Sequence, residues 1–290
     1  MREGESIWSV TWRRFRRSRL SVVALAYVAL MTALALFAPV IATSRPSAPV
    51  PFGPNDVDLA HRLQEPSAQH RFGTDDLGRD VLARMIHGAR ISLMVGFTAT
   101  AISLIVGSIL GALAGYYGGA ADWIVSRLIE IVLCFPFLFL VLGIVALFRP
   151  SLYTIMIALG LTSWTTEARF VRGEFLRIRD LDFAQAARAS GARDARIIFR
   201  HLLPNALAPV LVSASFGVAA AILIESALSF LGLGVPIPTA SWGGILSVAE
   251  EHIQYAWWLA LFPGVAIFLT VASFNIIGDR FRDAIDPRSD

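Results

Sequence analysis

The sequence predicts an all-α polytopic membrane protein with six transmembrane helices. Two observations carry this: 56% of its 290 residues are hydrophobic at a mean hydropathy of +0.62, and the apolar residues gather into long runs. A soluble domain of this length has to keep its surface wettable and seldom tolerates such a composition. A third observation, the distribution of arginine, orients the runs.

The first run, residues 20–41, is 22 residues long, enough at about 1.5 Å per residue to cross about 30 Å of hydrocarbon. Arg13, Arg14, Arg16, Arg17 and Arg19 precede it, and such a block is retained in the cytoplasm. A cleaved signal peptide ending near Val40-Ile41-Ala42 is the competing reading, but the run is long for a signal core. Residues 42–90 are polar and proline-rich and read as an external segment with an interfacial helix. Further runs follow at 91–116, 123–148, 152–170, 206–231 and 257–277. The last is led by Tyr255, Trp257 and Trp258, an interfacial aromatic belt. Both termini, 1–19 and 278–290, are then cytoplasmic. Apart from Arg127, seventeen arginines fall on the inner side and seven on the outer, in the sense the positive-inside bias requires.

All 25 basic residues are arginine. Without lysine there is no phosphate-binding P-loop and no Schiff-base chemistry. If ATP drives this protein, ATP and Mg are bound by another chain. The lone Cys134 and five scattered histidines support neither a disulfide framework nor a metal site. No cofactor is expected here. No catalytic motif stands out either, which leaves a membrane-embedded enzyme without a candidate site. The two halves do not resemble each other, so the inverted repeats of secondary transporters are not supported.

The informative stretch is the loop 173–205 between the fourth and fifth runs. Asp182 and Gln185 have capping-box spacing, which predicts a helix from Phe183; Gly191 suits a left-handed stop. A helix of two turns is too short to be stable alone. A second helix, 193–203, should end at Pro204. The predicted apolar stripes are Phe183, Ala186, Ala187 and Ser190 on the first and Ala195, Ile198, Phe199 and Leu202 on the second. Small residues at Ala186 and Ala187 let a partner surface approach; the alternative is a solvated loop folded back on the helix ends.

Gln185, Ala186, Ala187, Gly191, Leu203 and Pro204 together resemble the EAA loop of ABC-importer permeases, E-A-A, three residues, G, nine residues, I-x-L-P. Gln185 stands where the family has Glu, and His201 where it has Ile. HRFGTDDLGRDVLARMIHGARISL from His70, SALSFLGLG from Ser226, SWGGIL from Ser241 and FNIIGDRFRDAIDPR from Phe274 are similar to the C-type permeases of dipeptide, oligopeptide and nickel importers. That resemblance implies a type I ABC-importer permease fold in a bacterial inner membrane. It further implies a B-type permease partner, two ATPase subunits that seat the loop, and an external or periplasmic binding protein. Di- or oligopeptides are the implied solute, with nickel chelates or glutathione as alternatives and an ion-gradient-driven transporter as the rival class. Besides the lipid bilayer and these proteins no partner is expected, nucleic acid included.

Four further features stand apart from the loop. Asp75 and Asp76 read as caps of a helix starting near Leu77 and as candidates for contact with the binding protein. Gly107, Gly111 and Gly115 place a small-residue face on the second run. Glu130, one turn from Arg127, and Glu225 are acids within apolar runs, where ionisable groups are costly. They are candidates for the path or for pairing across subunits. Pro136 and Pro209 should bend their helices.

Overall fold

The structure, a computed structural model, describes residues 12, 13, 15, 16, 18–148 and 151–285. Most of the N-terminal stretch including Arg14 and Arg17, and also Arg149 and Arg288, lie outside the described residues. Helix α1, Arg19–Ile41, starts at Ser18, whose hydroxyl accepts from the Ser21 amide. It packs against α2, Val81–Tyr117, and against α9, Trp258–Ile285.

The segment between α1 and α2 has one short turn of helix, Leu59–His61, and otherwise irregular backbone. Its buried polar groups pair within the segment and with the helices beside it. Asp75, 1% exposed, accepts from the Leu77 and Arg79 amides and pairs with the Arg79 and Arg84 guanidiniums at 2.7 and 3.3 Å. His70 and Asp80 form a second buried pair at 2.8 Å. Trp258 donates to the Thr74 carbonyl, which fixes the segment to α9. The helix expected to start near Leu77 is corrected here: it begins at Val81 under an Asp80 cap and continues unbroken as α2. The loop at 74–80 takes up the intervening residues. With 37 residues α2 is about 55 Å long, well beyond the hydrocarbon thickness.

The third run is broken. Helix α3, Gly119–Cys134, and α4, Phe137–Leu147, meet at 89°, because Pro136 has no amide to donate and holds the chain extended. Helix α5, Leu152–Ile178, carries the fourth run. Among the described residues four helices, Arg19–Ile41, Val81–Tyr117, Pro209–Phe230 and Trp258–Ala284, are long and apolar enough to cross a membrane, or five spans if the bent pair counts as one. The expected span 152–170 is not in that set, because its second half carries Thr162, Ser163, Thr165, Thr166 and Glu167.

The α2–α5 contact is the most extensive in the bundle. A Cβ added at Gly107, Gly111 or Gly115 would come within 2.5 Å of Glu167, Ala168 or Phe175, all on α5. The glycine face therefore packs two helices of the same subunit backbone to backbone. Helix α7, Leu203–Phe230, packs on α2 and α9. Helix α8, Trp242–His252, was not expected from the sequence; it closes the end of the bundle over α7 and α9.

Candidate functional site

The short helix in the 173–205 loop is α6, Asp182–Ala189. Its expected capping box is absent: Leu181 is the N-cap without a side-chain bond, and Gln185 donates to the Asp180 carbonyl at 2.9 Å instead. Asp182, in the first turn, still complements the helix dipole. The C-terminal stop forms as read. Gly191 has φ +77°, and the amides of Gly191 and Ala192 reach the carbonyls of Arg188 and Ala187. These two bonds make a Schellman motif, whose left-handed position is cheap for Gly, tolerable for Asn and strained for most other residues.

The expected stripes are partly corrected. On α6 the anchor is Ala184, fully buried beneath the helix, while Phe183, Gln185 and Ala186 are exposed and Ala187 is half-buried. On the second segment Ile197, Ile198 and Leu202 turn inward, whereas Ala195 and Phe199 face out. The difference has a backbone cause. After Asp194–Arg196 the chain winds as a π-helical stretch, Ile197–Leu202, running directly into α7. The wider turn shifts the face by one residue and lets Pro204 sit at the start of α7 without a break. The predicted stop at Pro204 does not occur.

The inward residues join a core made by the far ends of three long helices: Ala112 and Tyr116 of α2, Val171, Phe175 and Ile178 of α5, and Ala206 and Val210 of α7. Polar ties reinforce it. Tyr116 donates to Asp194 at 2.8 Å, the Arg188 guanidinium lies 5.2 Å over the Tyr116 ring, and Arg179 donates to the Gly115 carbonyl. Arg172 on α5 grips Asp122 on α3 through both carboxylate oxygens. A force on α6 therefore acts on α2, α5 and α7 together. Neither Tyr116 nor Asp194 was singled out from the sequence. They are 78 residues apart, and no local pattern links them.

On one side of the bundle α2, α3, α4, α5 and α7 line a cavity of about 1160 Å³. Thr100, Ser103, Thr162, Thr166 and Ser213 supply hydroxyls to it; Phe135, Phe137 and Val212 supply apolar wall. Such a mixture can wet a solute without holding it tightly. Pro209 lies on the cavity wall within α7.

The two acids singled out from the sequence are not on that wall. Glu225 is fully buried inside the subunit, where Ser92 and Ser229 donate to its two oxygens at 2.9 and 2.8 Å. This corrects the expectation that it faces a path or a second subunit. Glu130 pairs with Arg127 at 2.6 Å, both half exposed on the outer face of α3. Asp75 is sealed in its network, so it offers no contact surface; Asp76 remains 30% exposed and touches Arg79 only at 3.5 Å. The acids on the cavity wall are Glu167 and Glu174. A signal for them existed: Ser163, Thr166, Glu167, Glu174 and Arg177 recur at helical spacing on one face of α5.

The family described as "Binding-protein-dependent transport system inner membrane component" matches residues 107–290, and the N-terminal TM domain of oligopeptide transport permease C matches residues 6–66. The chain is 43% identical over 283 residues to the dipeptide transport system permease protein DppC of Alkalihalophilus pseudofirmus, covering 98% of this chain and 90% of that one. It is 37% identical to the oligopeptide transport system permease protein OppC of Bacillus subtilis, with the same coverage. With the probable D,D-dipeptide transport system permease protein DdpC of Escherichia coli it shares 38% over 272 residues, 94% of this chain and 89% of that one. Among solved structures, the MetNI methionine ABC transporter in inward-facing form aligns at TM-score 0.55 and 22% identity, over 69% of this chain and 95% of that one. That last likeness is one of fold, the type I ABC-importer permease fold.

Proposed function

Because the chain belongs to the binding-protein-dependent transport system inner membrane component family, we propose that it is the permease subunit through which di- or oligopeptides enter the cell. In this reading it forms a heterodimer with a B-type permease. Two ATPase subunits bind ATP and Mg on the cytoplasmic side, and an external binding protein delivers the solute. The relatives' names support the solute class. The excess of arginine at 1–19, 173–205 and 278–290 supports cytoplasmic placement of those segments, leaving 42–90 outside and 91–277 as the core.

The observation that carries the coupling role is the division of α6 into two faces. Ala184 is locked to the helix ends while Phe183, Gln185 and Ala186 stay uncovered. A two-turn helix with a free face and a rigid back transmits displacement instead of absorbing it. Asp182, Phe183, Gln185, Ala186, Ala187 and Gly191 form the element that seats in the ATPase; Leu203 and Pro204 join it to α7. Closure of the ATPases on ATP moves that seat, and α2, α5 and α7 follow through the shared core. Free energy enters only as the difference in contact between two states.

The test is uptake of a radiolabelled peptide mixture by vesicles containing the assembled complex and its binding protein, with ion gradients collapsed by ionophores. ATP-dependent uptake is expected to persist. Uptake that follows the gradient and ignores ATP would establish a secondary transporter instead.

A further inference from the structure

Glu167 is an acid of the α5 cavity face that lies apart from the α6 element. Its stem is covered by α2, where Gly107 leaves room for it and for no side chain of its own. Its carboxylate accepts a hydrogen bond from Ser213 on α7. The residue is 5% exposed, yet it lines the cavity. Glu174, on the same face, is paired with Arg177 at 2.7 Å. Among the described residues Glu167 has no basic partner. An ionisable group facing a cavity between membrane helices calls for a counter-charge; of the arginines that line this cavity, Arg177 is paired with Glu174, and among the described residues neither it nor Arg282 forms an ion pair with Glu167.

We infer that Glu167 receives the protonated amine of the transported solute. A peptide's terminal ammonium brings three donors to a carboxylate that accepts from Ser213 in a cavity whose wall carries further hydroxyls. Thr100 lines the same cavity. The apolar wall formed by Phe135, Phe137 and Val212 tolerates varied side chains, so recognition falls on the group every peptide shares. The inference rests on the proposed peptide-permease role and takes this cavity as part of the solute path.

The experiment compares wild type, Glu167→Gln and Glu167→Asp in proteoliposomes holding the complete complex, with trialanine as probe and loaded binding protein in excess. The neutral variant is expected to import trialanine at least ten-fold more slowly with the half-saturating binding-protein concentration unchanged. ATP hydrolysis should continue, so that more ATP is spent per peptide. Glu167→Asp should recover at least half of the uptake. Equal uptake by Glu167→Gln overturns the inference. So does a parallel fall of hydrolysis and uptake that Asp does not rescue, which would make Glu167 a structural residue or a partner for a base on the other subunit. A wild type that hydrolyses ATP but moves no trialanine removes the peptide reading, and this inference with it.

Discussion

The Tyr116 hydroxyl, in the last turn of α2, donates to Asp194 at 2.8 Å across 78 residues of sequence. It ties the loop holding α6 to the longest helix of the protein. A hydrogen bond to a carboxylate is worth about 1–2 kcal/mol at a half-buried site, which is roughly five- to thirty-fold in an equilibrium.

Tyr116→Phe removes that bond and keeps the ring beneath Arg188. The variant is expected to assemble normally and to spend several times more ATP per solute imported. An unchanged ratio of hydrolysis to uptake would show that α2 takes no part in transmission.

Gly191 has open space around it and a left-handed backbone, so substitutions there test conformation alone on the side of this chain. Gly191→Leu costs about 1–2 kcal/mol of backbone strain on a helix of eight residues. It should uncouple transport while the purified ATPase subunits stay active. Gly191→Asn, which tolerates this conformation, should keep most of the uptake. If Leu and Asn behave alike, strain is not the cause.

For Glu225 the burial and the serine ties predict a stability role. Glu225→Leu leaves the hydroxyls of Ser92 and Ser229 without their acceptor, at about 1–3 kcal/mol each. It should lower the melting temperature in detergent. Glu225→Gln retains an acceptor and should melt within a few degrees of wild type. A reversed order would mean that the carboxyl has a task beyond holding α2 to α7.

The acidic pair of the 42–80 segment should separate cleanly. Asp75→Asn leaves Arg79 and Arg84 buried without their anion and is expected to cost about 3–5 kcal/mol, read as loss of protease resistance in the segment. Asp76→Arg, at the partly exposed neighbour, should leave the fold intact and weaken binding-protein affinity, with a reduced salt dependence. Unchanged affinity would exclude Asp76 from that contact.

What could be read from the amino acids alone followed from local rules. Hydrophobic runs longer than the bilayer is thick, the absence of lysine, and the glycine stop after a two-turn helix all act over a few residues. The membrane class, most of the helices and the short helix with its stop in the 173–205 loop came from them. Tertiary structure decided which face meets which neighbour. Periodicity groups Glu225 with one stripe and Glu167 with another, but cannot say that Ser92, 133 residues away, encloses the first while the second lines a cavity. The π-helical stretch at Ile197–Leu202 is the same lesson in the backbone. Pro204 reads locally as a stop, and the packing of Ile197, Ile198 and Leu202 into the core at the helix ends carries the chain past it.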